Sequence, residues 1–398
     1  MTVNGKSKNE DPASIIDKLH SLSVRLRNGN DNEARKECLR LSKKLTSQLE
    51  QSENVAVDMA FSPMIAVAAR VAVDLDLFRH VVNEGPVTST RLAELCGAEE
   101  LLIIRLMRPL SATHFVEETG PRTWKATQIT AAMATEEIAA GHRMISQLIV
   151  PAMQKAPDYL VKHGYSCPID PRDGLVQHAF LTKATTFERI TSSPSLLKDF
   201  NTFMGNTMGA RSYWVDWYPV QTQILDNADP EKPLIVDVGA GKGHDLLAFH
   251  ARFPDHAGKL VLQDLPPVIE VLDALNPVIE KVAYDFFTEQ PVKGARVYFY
   301  HHILHDWSDS YCLDILRRVV SAMTPGYSKL LLHEMIVLEE GAPQFQAQLD
   351  MTMMAFNSGM ERTAKQWSEL LESVGLRVVR VWEPIEEGAD GIVEAIKD

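Results

Sequence analysis

The 398-residue sequence predicts an α/β protein, mainly helical toward its N-terminus and built on a mainly parallel sheet toward its C-terminus. Two observations carry that prediction. After "DNADPEKP", short apolar runs ("LIVDVG", "KLVLQD", "VYFYHHIL", "SKLLLHEMIV") alternate with helix-length segments such as "DSYCLDILRRVVSAM". That is the pattern of strands joined by crossover helices. Before that point, residues 87–126 outline two short helices followed by a hairpin, a winged helix-turn-helix. The chain therefore divides into a disordered tail over 1–12, a helical and winged domain over 13–135, a helical segment over 136–229, and a sheet domain over 230–398.

Taken in order, the polar start "MTVNGKSKNEDPAS" has no apolar core of a signal peptide. Ile15, Ile16, Leu19, Leu22 and Leu26 then recur at helical spacing. The apolar "VAVDMAFSPMIAVAARVAVDLDLFRHV" reads as a core or interface helix, and we expect no bilayer-spanning segment. In the winged stretch "STRLAELCG" closes a helix on Gly97, "HFVEE" starts a strand and "RTWKAT" returns it. A DNA reader needs a basic face that releases counterions. Residues 87–119 instead set Arg91, Arg105 and Arg108 against Glu94, Glu99, Glu100, Glu117 and Glu118. With a net charge of -13 over the chain, nucleic acid and anionic membranes are disfavoured partners. A helical pair or wing of this kind more often builds a homodimer. Four dispersed cysteines without CxxC spacing fit a reducing, cytoplasmic setting.

The segment 136–229 carries Met204 and Met208 at spacings one helix face can share, and methionine adapts to irregular flat ligands. The sheet domain opens with Asp237-Val-Gly239-Ala-Gly241-Lys-Gly243, a glycine turn between strand and helix. Glycine serves where the backbone turns tightly and a ligand must come close. The spacing is GxGxG and no GK[ST] follows, so a Walker loop is excluded. Asp264 ends the next strand ~20 residues on, the place for an acid that holds ribose hydroxyls.

"DVGAGKG", "LQDLPPV", "YDFF", "HDWSD" and "GMERT" together resemble the S-adenosylmethionine-dependent O-methyltransferases of phenolic natural products, fungal polyketide members above all. The resemblance implies a Rossmann-like class I methyltransferase sheet with an N-terminal winged-helix dimerisation domain, S-adenosyl-L-methionine as cofactor and an aromatic or polyketide acceptor. It places Asp237, Gly239 and Gly241 at the methionine end of the cofactor, Asp264 on the ribose, and Asp285 and Phe286 at the adenine. His301 stands four residues before the base, where the family often has Lys or Arg, and is a cofactor-contact candidate. His305 matches the family's catalytic base, with Glu334 and Glu361 as orienting carboxylates. Trp307, Met354 and Asn357 join Met204 and Met208 as acceptor-lining candidates.

"YHHILHDWSD" also raises the question of a metal site. Adjacent strand residues point to opposite faces, so His301 and His302 should not share one ion, and no metal is expected. One base supported by carboxylates suffices for methyl transfer. Two other readings compete. A relative of this fold can use the bound sulfonium to promote pericyclic or dehydration chemistry, although retention of His305 argues for transfer. A winged-helix DNA-binding regulator is disfavoured by the acidic helices.

Overall fold

The computed structural model describes residues 10–27, 29, 31–205, 213–272, 275–384 and 388–398. It divides into two compact units that meet at Ala131 and Ala132. The expected tail falls mostly outside the described residues, and the first helix begins at Pro12.

The first unit opens with helices Pro12–Arg27 and Asn32–Leu49, the second capped where the Asp31 carboxylate accepts the Ala34 N–H at 2.9 Å. Its winged portion matches the expected outline. The Thr88 hydroxyl caps helix Ser89–Cys96, and Gly97, in left-handed conformation, ends it. Helix Glu100–Ala112 follows. Strands β1 (Val87–Thr88), β2 (Val116–Gly120) and β3 (Thr123–Ala126) form a small antiparallel sheet in the order β1-β3-β2. Leu92, Ile103, Met107, Leu110, Val116 and Trp124 are buried, so the apolar periodicity of this stretch makes a core. Arg91 lies between Glu84 and Glu94, at 2.9 and 3.3 Å, which offsets its charge.

Residues Ser52–Asp74 make a helical stretch long and apolar enough, by length and composition, to cross a membrane. The stretch is interrupted at Ser62, with Pro63 at the first position of its second half. It also carries Glu53, Asp58, Arg70 and Asp74. Helix length and composition alone do not separate a span from a face that another protein covers.

The second unit begins with helices that include Glu136–Gln154, Leu175–Phe180 and Pro194–Met204. Leu148, Leu175, Val176, Ile190 and Leu196 pack together there with Phe356. Seven strands follow in one sheet: β4 (Pro233–Val238), β5 (Lys259–Asp264), β6 (Ile279–Ala283), β7 (Val297–His301), β8 (Lys329–Glu334), and, after the two-residue strands β9 (Ile336–Val337) and β10 (Arg362–Thr363), β11 (Leu376–Trp382) and β12 (Gly391–Lys397). The order is β11-β12-β8-β7-β4-β5-β6. The strands from β4 to β8 pair in parallel, while β12 runs antiparallel to β8 and to β11.

Both faces are covered, which is why these strands read as continuous apolar runs. In β7, Val297 and Phe299 join the core of Trp214, Ile224 and Phe249, whereas Tyr298 and Tyr300 join that of Ile315, Leu316, Val319 and Trp367. The chain reverses outside the carboxyl ends of β4, β5, β7 and β8, where open α/β sheets bind ligands. Asp237, Asp264, His301 and Glu334 all stand at those ends.

Candidate active site

The turn after β4 is shaped by its glycines. Gly239 has φ +74°, and a Cβ there would come within 2.5 Å of Ile303 Cδ1, in the segment that leads to His305. Any side chain would strain the turn and displace that segment. Asp264 Oδ2 accepts the Gly241 N–H at 2.8 Å and Oδ1 the Leu265 N–H at 2.7 Å. The acid at the end of β5 thus holds the glycine turn. Burial raises its pKa, against the pull of these two N–H groups. The Tyr284 N–H donates to Asp264 O at 2.8 Å, which ties the Asp285–Phe286 pair to the same corner. Asp285 itself caps its turn through the Phe287 N–H, at 3.0 Å. Phe286 meets Trp307 edge-on, ring centroids 5.9 Å apart, so the adenine and acceptor candidates share an aromatic wall.

Asp237 is 1 % exposed and its Oδ2 has no hydrogen-bond partner among the described residues. Burial, then the nearby Asp245, pushes its pKa well up. A buried, unsatisfied carboxylate oxygen beside a glycine cradle fits the cationic amino acid end of S-adenosylmethionine. His301 Nδ1 lies 2.8 Å from Asp245 Oδ2. Burial opposes a charge on that ring, yet Asp245 outweighs it and holds the pKa at about 9. His301 is therefore a cationic group at the end of β7.

Beyond β7 the chain leaves the strand at His302, whose φ is +51°. The side-chain alternation expected there fails for that reason: a left-handed residue breaks the two-residue period. The His301 and His302 rings lie 4.7 Å apart, so the geometric ground for separating them is removed.

A short 3-10 turn, Leu304–Asp306, then presents His305, which is 7 % exposed. Its Nδ1 lies 2.8 Å from Glu361 Oε1 and 3.9 Å from Glu334 Oε2, and its Nε2 lies 3.7 Å from Asp306 Oδ1. The two expected carboxylates are thus brought together but do different things. Glu361 is the direct hydrogen-bond partner. Glu334 spends Oε1 on the Ile303 and Leu304 N–H groups, at 3.1 and 2.9 Å, and fixes the turn that carries the histidine. Burial raises the pKa of Glu334, and that of Asp306 to about 7. For His305 burial pulls the pKa down, but Glu361, Asp306 and Glu334 more than reverse this and lift it to about 10.

Sequence reasoning missed three supports. A Cβ on Gly359 would collide with His305 O, so only glycine lets the 358–361 segment close on this turn, where the Met360 N–H donates to the same carbonyl at 2.9 Å. Fully buried Arg362 donates to Leu304 O and Trp307 O and pairs with Asp309 at 2.8 Å, clamping both ends of the turn. Asp245 fixes His301. "GMERT" contained two of these residues, but their contacts are made across the fold.

The acceptor-lining candidates separate. Asn357 is 1 % exposed, donates to Asp306 O at 3.2 Å, and its Oδ1 has no hydrogen-bond partner among the described residues. Trp307 packs on Phe287 and Tyr311. Met354 packs against the helical cluster around Phe356. Met204 is exposed at the end of its helix, and Met208 lies outside the described residues.

A mainly parallel α/β sheet, a glycine turn answered by a strand-end acid, and a buried histidine held by glutamate fit an enzyme that uses a nucleoside cofactor. Residues 178–377 match a family described as O-methyltransferase domain, and the chain belongs to it. It is 62% identical to O-methyltransferase penC of Penicillium thymicola over 398 residues, 100% of both chains. It is 60% identical to O-methyltransferase asqD of Emericella nidulans, covering 84% of this chain and 87% of that one. Among solved structures, LepI in complex with SAM superposes with a TM-score of 0.86 at 27% identity, covering 98% of this chain and 100% of that chain. OxaC with sinefungin and meleagrin gives a TM-score of 0.85 at 26% identity, covering 97% and 99%. The protein is an S-adenosylmethionine-dependent O-methyltransferase of the type found in fungal secondary metabolism.

Proposed function

We propose that the chain methylates a phenolic or enolic hydroxyl of an aromatic secondary metabolite, with His305 as general base. The observation that carries this is the buried His305–Glu361 pair at 2.8 Å beside the nucleoside corner. When bound, the cofactor supplies an electrophilic methyl group and a positive charge beside the acceptor oxygen. The protein's part is to place that oxygen, remove its proton and keep water away. An ordinary histidine, at about 6.5, would take a proton from a phenol, at about 10, only at a cost of roughly 5 kcal/mol. With its pKa raised to about 10, a neutral His305 matches the phenol, and the cost moves from the proton transfer to keeping the ring neutral beforehand. Asn357 Oδ1 and Trp307 stand ready to orient a flat acceptor. Asp237, Gly239, Gly241, Asp264, Asp285, Phe286 and His301 would hold the cofactor.

The raised pKa has a definite sign. His305 in the free enzyme is mostly imidazolium at neutral pH, and only the neutral ring accepts a proton. We therefore expect kcat/KM to rise with pH from neutrality toward about 10, without the plateau near pH 7 that an unperturbed histidine gives. Labelled cofactor with demethylsterigmatocystin and meleagrin as probe acceptors is the assay, because relatives carry those names. A flat profile from pH 7 upward contradicts the assignment.

Asp264→Ala should weaken cofactor binding by roughly 1.5–3 kcal/mol, a charged acceptor being lost. Calorimetric titration that shows unchanged affinity removes Asp264 from the site.

A second reading has support in a neighbour: a structure titled "A Pericyclic Reaction enzyme" superposes with a TM-score of 0.86 at 26% identity. Substrate conversion without cofactor consumption would favour it.

For assembly we propose a two-fold dimer through the N-terminal unit. Val57, Met59, Phe61, Met64 and Val67 are more than half exposed in the single chain, an apolar face that a second copy would cover. Wild type should sediment as a dimer at micromolar concentration, and Met59→Lys combined with Phe61→Asp as a monomer. A wild-type monomer that pellets with lipid vesicles would instead make this face a membrane contact.

A further inference from the structure

Beside the base, three imidazoles and two carboxylates crowd one end of the sheet in a way that proton transfer to His305 does not use. From each of His301, His302 and Asp390 one potential donor atom lies within 4.8 Å of the other two, and the same holds for Asp245, His301 and His333. His302 Nε2 is 3.0 Å from Asp390 Oδ1. The His333 ring lies against His301, centroids 4.1 Å apart, and is 4 % exposed. Local backbone brings these groups together. The left-handed turn at His302 swings its ring back toward His301, and its N–H donates to His333 O at 3.1 Å. Asp390 immediately precedes β12, whose first residues pair with Glu334 and His333.

We propose that His301, His302 and Asp390 form a binding site for one divalent transition-metal ion of the zinc class, with Asp245 as the orienting partner of His301. The tautomer logic is specific. His301 Nδ1 is committed to Asp245 Oδ2 at 2.8 Å, so Nε2 is the nitrogen that would yield its proton and offer a lone pair to a metal ion. That nitrogen is buried with no hydrogen-bond partner among the described residues, as is His333 Nδ1. A carboxylate–histidine pair with the distal nitrogen bare is the arrangement that presents imidazole to a metal. Two imidazoles and a carboxylate are borderline ligands suited to Zn²⁺ and too nitrogen-rich for Mg²⁺ or Ca²⁺. Tetrahedral donors around zinc stand roughly 3.3 Å apart, so side-chain rotation of about 1 Å closes the triad.

The ion would act on the reaction from behind the base. The His302 ring stacks on His305 at 4.9 Å, so an ion that draws His302 into its coordination shell moves the ring that packs on the base. Zinc should therefore inhibit.

The test uses full-length, tag-free protein and Co²⁺ as a visible-absorbing stand-in. Titration should give one Co²⁺ per chain with the strong d–d bands of a tetrahedral site. His302→Ala and Asp390→Asn should each weaken binding at least tenfold, while Cys167→Ser, at an exposed position, should leave it unchanged. If Asp390→Asn does not fold, His302→Gln serves beside His302→Ala. Zn²⁺ should slow methyl transfer by wild type and lose that effect in His302→Ala. Absence of stoichiometric binding, or binding that survives the His302 variants, overturns the site; stoichiometric binding without inhibition overturns its action on the base. The binding arm needs no acceptor, so it stands apart from the proposed methyl transfer.

Discussion

His305→Ala should lower methyl transfer by about 10²–10⁴-fold. Cofactor affinity should stay within a few-fold, because the groups assigned to the cofactor stand at β4, β5 and the Asp285 corner, not on the 304–306 turn. Raising the pH should restore part of the rate on an acidic phenol, since solvent then supplies the phenolate that imidazole no longer generates. The variant also leaves Glu361, Glu334 and Asp306 facing one another without their cation, which costs stability. His305→Gln is the companion variant: it keeps a donor for Glu361 but accepts no proton at the reacting oxygen. Both variants losing activity while binding cofactor is the expected result. Near-normal turnover at neutral pH in either would sink the general-base proposal.

Glu361→Gln should cost roughly 10²-fold or more in kcat. The mechanism is loss of the charge that makes His305 a strong base, together with loss of tautomer control at Nδ1. An amide can donate to Nδ1 and so turn the proton onto Nε2, the atom that should receive it. Because Glu361 is the first cause that raises the His305 pKa, its removal should move the rising limb of the pH profile to lower pH. A merely structural role would not move that limb. Glu334→Gln should do less to the profile: its Oε1 braces backbone N–H groups, and its Oε2 is 3.9 Å from the ring. The effects of the two glutamates should fall short of additive, since both act on one imidazole. Identical pH profiles for wild type and Glu361→Gln contradict this division of labour.

The sheet was legible because its strands are buried on both faces and its turn chemistry is local. "LIVDVGAGKG" announces β4 and the glycine turn by residue type alone, and Asp264 follows at the distance a strand-end acid must. The winged portion was legible for the same reason, with Thr88 and Gly97 marking both ends of one helix. His305 and Glu361 were found only as members of a resembling motif. Nothing local in "GMERT" says that Glu361 crosses 56 positions to reach a histidine. Asp245 and Asp390 escaped notice for that reason: each is an ordinary acid in sequence, and each gains meaning from the strand beside it. The His301–His302 reading failed on one dihedral angle. Strand periodicity predicted opposite faces, but a left-handed residue at the strand end is a tertiary demand that the pair "HH" does not display.

The helical stretch over 52–74 shows a further limit. Composition alone left it as core or interface. The structure divides it: Val55, Val57, Met59, Phe61, Met64 and Val67 are exposed, while Ala68, Ala69, Ala72 and Val73 are buried.

The most direct test of the central claim counts methyl groups and protons together. Wild type and His305→Ala would be given methyl-labelled S-adenosylmethionine and the same phenolic acceptor from about pH 6 to pH 10, a range that brackets an ordinary histidine and a phenol. The account predicts one labelled methyl on oxygen for each cofactor consumed by wild type, with a rate that climbs through the range. The variant should be slower by at least about 10² at neutral pH and close part of that gap at alkaline pH. Equal rates for the two proteins at neutral pH, or product formed by wild type while the cofactor stays whole, would contradict it.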